Sequence, residues 1–239
     1  MAVYFGSTTV LGERSMKKLQ FVLLLVSLAC GSELFAQTHA TQAVPAASPS
    51  TLQQDRLPPI PASKQTEAQK KASVEFVTIR KTQVFGPFVP LLRSPELMLR
   101  ASAMGDYLRY RDALPPKLNE FIILIVARQW TQEYEWSVNY PIAIKAGLDP
   151  EIAKALAEGR RPAKMPEEEE IVYEFSTELH HNKSVSEATY SRAVAKFGEQ
   201  GMMDMVGVNG YYTLLAMVIN VGRTPVPKDY TPMLVPLPH

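Results

Sequence analysis

PPKLNEFIILIVARQWTQEYEWSVNYPIAIKAG, residues 115–147, is the stretch on which the reading of this chain turns. Pro115 and Pro116 suit the first turn of a helix, where the missing N–H costs nothing. Phe121 to Ala127 is apolar without interruption, the mark of a buried helix, and Glu120 is the one acid beside it. Arg128 to Thr131 breaks the pattern. A second helix follows, with Gln132, Tyr134, Glu135, Trp136 and Asn139 in its first two turns, and Gly147 closes it. Glu135 and Asn139 are four residues apart and share a face, with Gln132 one turn earlier on it. Glu120 joins them if the two helices run antiparallel. Pro141 removes a backbone hydrogen bond and is expected to bend the second helix near Ser137.

Outward from this hairpin every strong signal is helical. Ser63 to about Thr82 reads as a helix with Ala68, Ala72, Phe76 and Ile79 on one face. FGPFVPLL, 85–92, reads as a proline-interrupted loop. Ser94-Pro95-Glu96 starts a helix that runs to about Arg109, with Leu97, Leu99 and Met104 available to pack. Asp149-Pro150 opens another that ends at Gly159. Pro166 precedes four glutamates, which suit a helix N-terminus and read as a solvated face, with Ile171, Phe175 and Leu179 turned inward. Ser186 caps a helix that Gly198 ends. The last helix, Met202 to about Val221, is apolar nearly all round and is expected in the core or against another subunit. The tail from Thr224 is proline-rich and is expected to wrap the surface. No stretch alternates as a strand does, so the predicted class is all-α.

The N-terminal part reads differently. Met16-Lys17-Lys18 followed by LQFVLLLVSLAC and then Leu34-Phe35-Ala36 has the charged, apolar and small-residue regions of a secretory signal peptide. Residues 1–36 are therefore expected to be an upstream extension plus signal, and the protein periplasmic or secreted. Cys30 offers a lipoprotein route, but Ser27 stands where such sites carry an aliphatic residue. Residues 37–55, rich in Ala, Pro, Ser, Thr and Gln, read as a disordered linker. Residues 56–239 are expected to form one helical domain, begun by an extended arm over Arg56 to Pro61. No later segment is expected to remain as a stable membrane span. The balance of 25 basic against 24 acidic residues gives no reason to propose nucleic acid as a partner. Cys30 is the only cysteine, so the mature chain is expected to have neither a thiol nucleophile nor a cysteine–histidine metal site, and no cofactor is expected.

Two carboxylates in one low-dielectric pocket cannot both ionise easily, so one is raised toward neutrality. Glu120 and Glu135 would then be a catalytic acid–base pair. Asn139, Gln132 and Tyr134 would orient a substrate carboxylate or enolate oxygen. A structural alternative stands beside this. Glu133 and Glu135 lie in a first helical turn, where acids are stabilised without any function. Glu120 could pair with Arg128 or another arginine. Trp136 and Tyr140 share a face and, with Trp130, suit core or interface packing, though Trp136 is also a candidate substrate contact. Tyr211 and Tyr212 read as packing too, and His180-His181 as partners of a helix C-terminus rather than metal ligands.

The order Glu120, Gln132, Glu135, Asn139 resembles the carboxymuconolactone decarboxylase family, which includes the AhpD-type alkylhydroperoxidases. Tyr134-Glu135-Trp136 looks like its cysteine-free branch, and SPELMLR (94–100), VYEFSTEL (172–179), FGEQGMMDMV (197–206) and GYYTLLAMVIN (210–220) support the likeness. The resemblance implies an AhpD-like helical fold, assembly as a homo-oligomer (trimer or hexamer), and lyase chemistry on a small-molecule substrate, a carboxylated lactone. Two departures matter. The redox cysteine pair of the peroxidase branch is replaced by Gln132 and Glu135, which cannot form a disulfide, so thiol peroxidase chemistry is excluded. The family histidine is replaced by Asn139, an amide that does not titrate near neutral pH. The alternative function is a non-catalytic small-molecule-binding or oligomeric scaffold protein of the same fold.

Overall fold

A computed structural model describes residues 54–235. The expected signal peptide and most of the expected linker lie outside them. Among the described residues the protein is all-helical, with eight α-helices and no strand. They are α1 (Glu67–Arg80), α2 (Phe88–Leu91), α3 (Pro95–Tyr110), α4 (Pro116–Gln129), α5 (Glu133–Lys145), α6 (Pro150–Ala157), α7 (Glu167–Asn182) and α8 (Glu187–Gly222).

Helix α4 is the centre. Every residue from Leu118 to Arg128 is buried, and α5, α6, α7 and α8 all pack on it. The uninterrupted apolar run leaves it no solvent face, so it must be surrounded. Trp130 to Gln132 make the turn into α5, where the Gln132 carboxamide oxygen accepts from Tyr134 N–H at 2.9 Å. Thr131 sits there with a left-handed φ of 45°. Pro141 lies inside α5, which nevertheless continues as one helix to Lys145. A second layer has α1 on α3, and α3 with α2 on α8.

Several elements differ from the sequence expectation. The first helix starts at Glu67 rather than Ser63, because Thr66 and Gln69 form a reciprocal capping box. Ala62–Lys64 are a separate 3-10 turn. Only Ala72 and Phe76 of its proposed face are buried, while Ala68 and Ile79 are exposed. FGPFVPLL contains α2, a single helical turn anchored by buried Phe88 and Leu91. In α3 the packing face is Met98, Ala101 and Leu108, and Leu97 and Met104 face outward. That helix carries apolar residues on more than one side, so periodicity alone does not choose its inner face.

The four-glutamate run is not wholly solvated either. Glu169 is 2% exposed and is paired with Lys117 at 2.7 Å, which ties α7 to α4. Gly198, with φ 69° and ψ 173°, interrupts α8 without an intervening loop. One side of the C-terminal part of α8 is buried, whereas Met203, Met217 and Val221 are exposed in the single chain. An 18-residue window of α8 is apolar enough to cross a membrane by length and composition, and half of it is buried against the rest of the protein. His180 and His181 lie in the last turn of α7, as the sequence suggests, and His180 also meets the Asn209 side-chain oxygen at 3.0 Å.

Both ends of the domain are tied down. Arg56 N–H donates to Gly222 C=O at 2.8 Å, and the Arg93 guanidinium holds the Pro58 carbonyl at 2.8 Å, so this arm is bound to the end of α8 and to Arg93 just after α2. The tail returns to the start of α5. There the Glu133 carboxylate accepts from Tyr230 O–H at 2.8 Å and from Leu234 N–H at 2.9 Å. Glu133 is therefore a tail anchor and not merely an acid at a helix N-terminus.

Candidate active site

A cavity of about 130 Å³ opens between α3, α5 and α8, with α2 at one side. Its walls are largely aromatic, from Phe85, Phe88, Tyr134, Tyr211 and Tyr212. Tyr110 and Phe85 are exposed at the rim. Besides the tyrosine hydroxyls, Arg80, Arg109, Glu135 and Asn139 supply polar groups.

Arg109 organises the interior. Its Nη2 donates to Glu120 Oε1 at 2.7 Å and to Asn139 Oδ1 at 2.9 Å. Asn139 in turn donates its Nδ2 to the Glu135 backbone carbonyl at 2.8 Å, one turn earlier in α5. The amide is thus fixed in one orientation, oxygen toward Arg109. Glu120 does not line the cavity; it stands behind Arg109 and holds it. Burial raises the Glu120 pKa above the ordinary carboxylate range, and the Arg109 charge draws it part of the way back.

Glu135 is in a different condition. It is 3% exposed, lines the cavity, and among the described residues neither carboxylate oxygen has a hydrogen-bond partner. Burial alone pushes its pKa well above the ordinary value, because no cation or donor compensates the charged form. The two acids therefore differ by environment. Glu120 is matched by a guanidinium, and Glu135 is favoured as the neutral acid.

The remaining expected site residues divide. Tyr134 lines the cavity, its ring lying against Gly86. Gly86 has φ 50°, and a Cβ there would stand 2.5 Å from the Tyr134 phenol oxygen, so both backbone and contact require glycine. Gln132 is not on the cavity wall. Its oxygen caps α5 and its Nε2 donates to Asn220 Oδ1 at 2.6 Å, so both ends of the amide are engaged in the fold. Trp136 is also absent from the wall. It is fully buried and stacked on Tyr140 with ring centroids 6.0 Å apart, a core residue of the α5 underside.

Four cavity residues escaped sequence reasoning as site residues. Arg109 sits in the last turn of α3, where a basic residue is already explained by the helix dipole. Arg80 has the same disguise at the end of α1; in the fold it pairs with Asp106 at 2.9 Å and lies over the Phe88 ring at 4.7 Å. In sequence Tyr211 and Tyr212 suit packing. Burial raises the Tyr211 pKa to about 12, and it raises that of Tyr212 further, so both phenols stay protonated as donors at neutral pH. Among the described residues no group of three His, Cys, Asp or Glu side chains converges as a metal site. No family model matches the sequence, and no curated protein matches it.

Proposed function

We propose that this cavity performs acid–base chemistry on a small carboxylated molecule, namely the decarboxylating lyase step on a lactone acid that the family resemblance implies. The observation that carries the reading is the unpartnered, buried carboxyl of Glu135 in the wall of a cavity that also holds Arg109. Loss of carbon dioxide breaks a carbon–carbon bond and leaves its electron pair on the ring as an enolate. Arg109 can hold the enolate oxygen, where charge develops. Glu135, held neutral by burial, delivers its proton to the carbon that lost the carboxylate, and regains one from water as the product leaves. The balance is substrate anion plus one proton to product plus carbon dioxide. Glu120 and Asn139 are positioning residues, since they act through Arg109 and the α5 backbone.

Size supports a small ring. An apolar cavity of about 150 Å³ accommodates benzene, and this one, of about 130 Å³, suits a five-membered lactone with its substituents toward Tyr110. The reading includes export to the periplasm or beyond, on the strength of residues 16–36. It also includes a homo-oligomer, supported by the exposed Met203, Met217 and Val221 on α8.

Carbon dioxide release from a γ-lactone carboxylate by wild type and Glu135→Gln tests the reaction. A loss of about 100-fold or more in kcat is expected for the variant; equal rates remove Glu135 from the mechanism. A second reading, a binding protein without catalysis, is favoured by one observation: the Arg109 charge is already matched by Glu120. Binding of the lactone without turnover by wild type or by Asn139→His would establish it.

A further inference from the structure

A second cavity, of about 140 Å³, lies between α4, α6 and α7. Its floor is apolar, with Ile125 and Leu156 buried and the Tyr173 ring beside them. Arg128 also lines it. That residue is 4% exposed, its Nε has no hydrogen-bond partner among the described residues, and one Nη donates to the Val235 carbonyl. Among the described residues no carboxylate forms an ion pair with Arg128. A buried cation without a matched anion is costly, and proteins ordinarily pair such groups. The Thr177 hydroxyl, also on this wall, is buried and unpartnered as well. At the exposed rim stand Arg160 and His181. The acids acting here are already engaged. Glu158 is bonded to Arg160, and Glu133, whose charge reaches Arg128, is taken up by the tail.

We infer that this cavity is a second small-molecule site, selective for a carboxylate with a compact apolar body, whose charge meets Arg128 and whose body lies on Ile125, Leu156 and Tyr173. The central cavity has a buried acid without a cation and arginines paired with carboxylates, whereas this one has, among the described residues, a buried arginine in no ion pair and two unsatisfied donors. The inference does not rest on the lyase reading.

Benzoate titrated into the full mature protein, followed by amide NMR and calorimetry, tests the inference. Shifts are expected at Gly159 and Thr177, distinct from those at Tyr134 and Val138 of the central cavity. Thr177→Val and the double variant Arg160→Ala/His181→Ala should each weaken that binding several-fold, and Arg128→Gln at least tenfold. Should Arg128→Gln fail to fold, the rim and Thr177 variants carry the decision. Benzyl alcohol binding as tightly as benzoate would overturn the requirement for charge, and inorganic phosphate binding as tightly would overturn the requirement for an apolar body. Shifts confined to the central cavity, or affinity at Gly159 unchanged in every variant, would overturn the site itself.

Discussion

Glu135 shows how one side chain can be unfavourable for the fold and still be the most informative residue in it. Its carboxyl is buried with no donor, so the fold holds the neutral form and the folded pKa stands above the ordinary value near 4.5. A group shifted in that direction contributes its stability below the unfolded pKa and loses it as pH rises through the folded value. Wild type should therefore lose stability, relative to Glu135→Met, which removes the ionisable group at similar volume, as pH rises above the ordinary carboxylate range. At pH 8 the variant is expected to be more stable by about 1–3 kcal/mol, the usual cost of an unsatisfied buried polar group. Urea unfolding of both proteins as pH is raised to 8 checks it, and parallel curves would show that Glu135 does not titrate in the fold. At this scale the sequence is informative about types and spacing. Glu135 and Asn139 stand on one face as their i, i+4 spacing demands. Arg109 was not legible, because its partners lie 11 and 30 residues away in sequence and meet it only through packing.

At the scale of elements, stops were more legible than inner faces. Gly147, Gly159 and Gly198 all carry positive φ values, as helix-ending glycines do. Gly198 lies in a region of backbone space that is essentially confined to glycine. Gly198→Ala should cost about 1–3 kcal/mol. Gly210 has helical geometry, is exposed and has open space at its Cβ position, so Gly210→Ala should gain about 0.5–1 kcal/mol. Opposite signs from two glycines of one helix, read by urea unfolding, would locate the break at Gly198; equal signs would remove it. The inner face of α3 was misread because a stripe of apolar residues fixes a burial direction only when the opposite side is polar. Leu97, Met98, Leu99 and Ala101 occupy successive directions round the helix, and only the arrival of α1 and α8 selects among them.

At the scale of the molecule, helices are joined through a few buried polar links as well as through the apolar core. Lys117 and Glu169 connect α4 to α7 with the acid 2% exposed. Lys117→Met leaves that carboxylate buried and unmatched, and should destabilise the protein by about 3 kcal/mol. The double variant Lys117→Met/Glu169→Met should recover most of the loss, since two apolar side chains carry no uncompensated charge. A double variant no more stable than the single one would mean that packing, not charge, is what Lys117 supplies. By itself the sequence determined the helical class, the central place of α4, most of the caps and breaks that bound the longer helices, and the presence of two acids on the hairpin. These follow from local propensity and from the unbroken apolar run, which leaves a helix no option but to be surrounded. Only the tertiary structure decided that Arg109 stands between Glu120 and Asn139, that Glu135 has no partner, that Gln132 and Trp136 are occupied elsewhere, and that Arg128 is buried beside a second cavity. Pairing and desolvation depend on which distant side chains arrive at a given point, and spacing along the chain does not encode that.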